Sequence, residues 1–175
     1  ENPIEVFSFY TGQAGISFVM LRMHAITGAK TYLEKALDAA KDCSLMLNST
    51  NSKPVIDDLI NGTSGTLLTL IHLHAATQKE WVLKDITKFI KHLMLSAHSG
   101  KAGLYWDRND KISKGLCGLS HGAAGIGFVF LELGYYFNNN VFYNIAEEAF
   151  AYENYCMNKK NKNWPDHRRN SFNEE

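Results

Sequence analysis

Gly122-Ala123-Ala124-Gly125-Ile126 is the third of three segments that open alike, after Gly12-Gln13-Ala14-Gly15-Ile16 and Gly62-Thr63-Ser64-Gly65-Thr66. Each is a Gly-x-x-Gly pair followed by an apolar run at helical spacing. After the first pair, Ile16, Val19, Met20 and Met23 mark one face; past a break at Thr27-Gly28 a second run carries Leu33, Ala36, Leu37, Ala40 and Leu47. The second unit repeats this with Leu67, Leu68, Ile71 and His74, then Val82, Ile86, Phe89, Ile90 and Leu93. The third has Ile126, Val129, Phe130 and Leu133, a break over 134–140, then Phe142, Ile145, Ala149 and Tyr152. The periodicity predicts an all-α chain of three helical hairpins, over about residues 8–48, 58–97 and 117–158, with a C-terminal loop over 159–175. The pairs start 50 and then 60 residues apart, longer than tetratricopeptide or HEAT periods, so real loops join the hairpins. The longest loop runs from Ser96 to Ser120, and Gly103-Leu104-Tyr105-Trp106 within it suits a short strand.

Composition agrees. A chain of 175 residues suits one domain, and 45% hydrophobic with 21% charged residues excludes disordered and low-complexity classes. Only Pro3, Pro54 and Pro165 interrupt helices. Eighteen basic residues balance eighteen acidic ones, which argues against a nucleic-acid partner; Lys159, Lys160, Lys162, Arg168 and Arg169 read as a solvated loop. Cys43, Cys117 and Cys156 are odd in number and widely spaced, as expected of reduced thiols in a cytoplasmic protein. No apolar run approaches the ~20 residues of a membrane span, and the sequons at Asn48 and Asn61 carry no meaning without secretion.

Glycines three apart are explained by close backbone packing alone. Their repetition points further, to three helix N-termini at one edge, each offering free N–H groups and partial positive charge to a common centre. His121 stands at the mouth of the third such helix, after Ser120 as an N-cap, where the helix field disfavours imidazolium and leaves a base. Asp58 precedes the second glycine pair by four residues and could orient a histidine; Asp57 is an equal candidate on pattern. Cys117 and His121 have Cys-x-x-x-His spacing, but no third zinc ligand has a recognisable spacing: His72 and His74 splay on a helix, and His92 and His98 lack a partner motif. Metalloprotease, Walker and dinucleotide motifs are missing from the sequence. Trp164-Pro165-Asp166 with Arg168 reads as a loop capping the last hairpin.

Gly118-Leu119-Ser120-His121-Gly122-Ala123-Ala124-Gly125-Ile126 resembles the glycine-histidine-glycine motif of lanthionine synthetase C-like proteins. Asp58-Leu59-Ile60-Asn61-Gly62-Thr63-Ser64-Gly65 is similar to that family's second repeat, and Gly12 to Ile16 to its first. Tyr152-Glu153-Asn154, then Asn163-Trp164-Pro165-Asp166-His167-Arg168, resemble the C-terminal cyclase domain of type 2 lanthipeptide synthetases. The resemblance implies an α,α-toroid with its glycine turns at the central edge. It implies a cyclase that adds a cysteine thiol of a precursor peptide to dehydroalanine or dehydrobutyrine, closing a thioether ring. His121 falls on the family's acid/base histidine and Asp58 on its active-site aspartate, which separates Asp58 from Asp57. The glycine-turn N–H groups are then expected to stabilise the enolate oxygen.

The complete family domain implies zinc, held by a Trp-Cys-x-Gly motif and a Cys-His or Cys-Cys pair. Neither motif occurs in this sequence, and Cys117 corresponds to no family ligand, so no metal is expected on this chain. The chain therefore reads as a partial cyclase domain over residues 1–175, about three of the toroid's seven hairpins, inactive alone. Its expected partners are the precursor peptide, the remainder of the synthetase, and further copies of the half-toroid that cover its exposed apolar faces. The alternative is a non-catalytic peptide-binding or structural helical-repeat module. A glycosidase toroid fails because adjacent Asp57 and Asp58 cannot flank a glycosidic bond.

Overall fold

The computed structural model describes residues 6–48, 55–107 and 115–167. Helices α1 (Gln13–Thr27), α2 (Lys30–Ala40), α3 (Thr63–Thr77), α4 (Glu80–Ser96), α5 (Ala123–Phe137) and α6 (Asn140–Cys156) dominate them. The chain forms two compact units, Glu1–Leu95 and Ser96–Glu175. Among the described residues no helix is long and apolar enough to cross a membrane.

Each glycine pair opens a helix of 15 residues, and the three are built alike. Their N-caps, Gly12, Gly62 and Gly122, share an extended backbone at φ −123°, −115° and −116°. Their C-caps, Gly28, Gln78 and Asn138, are all left-handed, the conformation that ends a helix by returning an N–H to its last carbonyls. An amide of the glycine N-cap bonds the carbonyl four residues back in every repeat: Ser8, Asp58 and Gly118, each at 3.1 Å. The second glycine admits the turn itself, because a Cβ on Gly15 would lie 2.1 Å from the Phe9 carbonyl oxygen and one on Gly65 2.0 Å from that of Leu59.

In the first unit α3 is buried on every side from Thr63 to Ile71 and forms the core. Small and polar residues allow that approach. Thr69 Oγ1 donates to the Ala14 carbonyl at 3.1 Å, Thr66 Oγ1 to that of Phe7 at 3.0 Å, and Ser17 Oγ to that of Ala36 at 2.8 Å. Tyr10 N bonds the Ile60 carbonyl at 3.0 Å, so the first two glycine turns lie at one edge. The face of α1 marked by Ile16 and Val19 is not the core side: Ala14, Ser17 and Leu21 are buried, while Ile16 and Val19 are exposed. The second run of the first hairpin also stops early. After Ala40 the chain tightens into a 3₁₀ turn, Cys43–Asn48, whose three-residue repeat buries both Cys43 and Met46.

In the second unit α5 packs on α6 through Gly127, where an added Cβ would stand 3.0 Å from that of Ala149. The long connection holds a hairpin, β1 (Ala97–Gly100) with β2 (Gly103–Trp106), so the short strand expected at 103–106 has a partner the sequence did not suggest. Tyr105 stacks between His98 and Tyr152, and Trp106 on Phe130, which lays the hairpin on the helices.

Candidate functional site

The two aspartates before α3 point different ways. Asp58 is 2% exposed, and its Oδ1 accepts from Asn61 N at 2.7 Å, bracing its own turn. Ser8 does the same in the first repeat, its Oγ accepting from Thr11 N at 3.3 Å. Asp57 Oδ1 accepts from Thr63 Oγ1 and from His92 Nε2, each at 2.8 Å. His92 has no partner motif in the sequence because its partner lies 35 positions away across a helix.

Sixty residues on, Asp57 and Asp58 are replaced by Cys117 and Gly118, and Asn61 by His121. Gly118 has φ +100°, a conformation that favours glycine. The missing carboxylate is supplied by Glu153 of α6, whose Oε1 accepts from Gly118 N and Ala124 N at 2.8 Å each. Tyr152 donates its hydroxyl to the Gly115 carbonyl at 2.8 Å. The segment carrying Cys117 and His121 is thus fixed from α6.

Two expectations about this turn are overturned. Ser120 is not the N-cap: Gly122 is, and Glu153 serves the helix's first turn. Nor are the turn amides free. Gly122 N bonds the Gly118 carbonyl, Ala123 N that of Leu116, Ala124 N the Glu153 carboxylate and Gly125 N the Gly122 carbonyl. The tight glycine turn folds three acceptors back onto its own donors and α6 supplies the fourth, so these amides cannot stabilise an enolate oxygen.

After α6 the chain doubles back. Asn158 and Asn163 bridge, with Asn158 N donating to the Asn163 carbonyl at 2.8 Å, and the lysines 159, 160 and 162 of this loop are exposed. Trp164 Nε1 donates to the Glu153 carbonyl at 2.9 Å, so the loop does cap the last helix. Arg168 and Arg169 lie outside the described residues.

That return brings Cys117, Cys156 and His167 together, their donor atoms all within 4.8 Å of one another. A cavity of about 310 Å³ is lined by Cys117, His121, Trp164 and His167 among others. A second, of about 720 Å³, is lined by Tyr105, Tyr152, Tyr155, Cys156 and His167 among others. Burial pushes the Cys117 thiol well above its ordinary range, and the Glu153 carboxylate and Cys156 push it further, so the bare thiol stays protonated at neutral pH. His121, which has Cys-x-x-x-His spacing to Cys117, is not in the three-donor cluster; Cys156 and His167 are. No spacing rule reveals them, because they meet Cys117 only through the fold.

A family model described as lanthionine synthetase C-like protein matches residues 1–174. The chain belongs to that family. No curated protein matches it. Zinc is the metal that membership implies, and the family's ligand motifs are not in the sequence. Two thiols and an imidazole are nevertheless a donor set that suits zinc, so the described residues fit the ion at a place of their own. Asp58 lies in the first unit and His121 in the second of this lanthionine synthetase C-like chain.

Proposed function

We propose that this chain is part of a lanthipeptide cyclase, joining precursor-peptide cysteines to dehydroalanine or dehydrobutyrine. The family match over residues 1–174 carries the reading. His121 supports it by lining a cavity at the mouth of α5, open to a peptide side chain. The reaction forms a bond from sulfur to the β-carbon and delivers the thiol proton to the α-carbon, with no group lost. His121 takes that proton and returns it to the enolate carbon. Asp58 is the active-site aspartate of this reading, besides bracing its turn. Zinc, when bound in the complete domain, supplies a thiolate by lowering the thiol pKa.

The chain alone is proposed to close no rings, since it lacks the Trp-Cys-x-Gly motif and the paired ligands. The test uses the complete cyclase domain and a dehydrated precursor, with free thiols counted by alkylation and mass. His121→Ala leaves thiols unreacted while the domain keeps its helicity. Asp58→Asn keeps an acceptor for Asn61 N, so lost ring closure at unchanged Tm assigns chemistry to the carboxylate. Wild-type ring closure by His121→Ala overturns the reading and favours a peptide-binding module.

A further inference from the structure

We propose that Cys117, Cys156 and His167 form a metal site that takes one zinc ion per chain. The site goes beyond the cyclase reading and stands whether or not the chain takes part in ring closure. It is also distinct from any Trp-Cys-x-Gly site, because that motif does not occur in the sequence.

The donors come from three separate segments, each with its own reason to be where it is. Cys117 is held by the bonds on either side of it, Gly118 N to Glu153 Oε1 and Tyr152 hydroxyl to the Gly115 carbonyl. Cys156 is the last residue of α6, where Met157 N closes the helix on the Glu153 carbonyl at 3.1 Å. His167 follows the Asn158–Asn163 bridge and the anchor of Trp164 on that same carbonyl. Glu153 therefore organises all three, its carboxylate holding one segment and its carbonyl the other two. Little ordering remains to be done when an ion arrives.

The geometry fits zinc. Zinc–sulfur bonds of about 2.3 Å and zinc–nitrogen bonds of about 2.0–2.1 Å set tetrahedral donors about 3.5–3.8 Å apart. Donors already within 4.8 Å need only small side-chain rotations to reach that spacing. Two sulfurs and an imidazole discriminate against magnesium and calcium, which take oxygen ligands. Three protein donors leave a fourth position, and the cavities that Cys117, Cys156 and His167 line give water or a small thiol access to it. A bound ion would clamp the returning loop to the turn that carries His121.

The reduced 175-residue chain, dialysed against a weak chelator after loading with Zn²⁺, is expected to retain one zinc per chain by elemental analysis. Co²⁺ in its place gives thiolate-to-metal charge-transfer bands and the strong visible bands of a tetrahedral ion. Cys117→Ser, Cys156→Ser and His167→Ala each weaken Zn²⁺ binding more than tenfold, while His121→Ala retains it; circular dichroism checks that each variant is folded. Should a variant unfold, the wild-type chain decides: Zn²⁺ slows alkylation of Cys117 and Cys156 more than tenfold and a chelator restores it. A zinc-free chain whose thiols Zn²⁺ does not protect overturns the proposal. So does zinc that survives all three ligand variants, zinc lost in folded His121→Ala, or a Cys117–Cys156 disulfide that forms equally fast with and without Zn²⁺.

Discussion

Nε2 of His92 donates to Oδ1 of Asp57 across 2.8 Å, the same oxygen that accepts from Thr63 Oγ1. One position along, Asp58 turns its Oδ1 back to Asn61 N. Neighbouring carboxylates therefore divide two tasks, one tying α4 to the entrance of α3 and the other bracing the glycine turn.

Removing Asp57 strands two donors, so Asp57→Ala is expected to cost about 2–3 kcal/mol. His92→Ala should cost less, about 1 kcal/mol, because its ring is part-exposed and the Asp57 carboxylate keeps Thr63. Urea unfolding at unchanged m-value checks the order; equal losses would deny Asp57 its second role.

Glu153 is 6% exposed and accepts two amides of the third turn. Glu153→Ala is expected to lose about 2–4 kcal/mol, and Glu153→Gln about half of that, since the amide oxygen still accepts but carries no charge. Thermal unfolding of the two variants would show the graded loss. A neutral Glu153→Ala would contradict the bracing of this turn from α6.

Two glycines should respond differently to the same methyl group. Gly65→Ala drives a Cβ to 2.0 Å from the Leu59 carbonyl oxygen and requires the backbone to move, an expected loss of about 3 kcal/mol or more. At Gly118 a Cβ meets nothing within 4 Å, so Gly118→Ala pays only for φ +100°, about 1–2 kcal/mol. Comparable chemical midpoints for the two variants would refute the close-approach account.

Burial, then Asp85 and Asp42, push the Cys43 thiol from an ordinary 9.0 up to about 12. The folded chain thus keeps a proton that the unfolded chain releases between those values. The stabilisation is full below pH 9.0 and is lost as pH rises toward about 12. Cys43→Ala, at a roughly constant cost of about 1 kcal/mol from the small cavity, should show a shallower decline of stability over that window. Parallel pH profiles would argue against it.

Tyr10, Ile16 and Val19 are 75%, 48% and 54% exposed and line an apolar hollow of about 470 Å³ with Phe9 and Phe18. The chain is expected to self-associate or bind an apolar dye, and Val19→Glu to cut that signal by more than half without loss of helicity. A monodisperse monomer by light scattering that binds no dye would count against this.

The glycine pairs, the apolar spacing and the scarcity of proline determined the mostly helical fold from sequence alone, because helix starts and stops depend on residues within one or two turns. The same locality marked the three glycine turns, although in the third it pointed to Ser120 as the cap where the structure has Gly122. It failed at α1, where Ile16 and Val19 look like core but α3 packs against the smaller Ala14. It failed also at the turn amides of the third repeat, where three acceptors lie just upstream and turn inward only once the glycines let the chain close on itself, and the fourth is the Glu153 carboxylate from α6. The partnership of Asp57 with His92 and the meeting of Cys117, Cys156 and His167 were decided only by tertiary structure. Both join residues more than ten positions apart through helices and a returning loop, and no local spacing records where such segments come to rest.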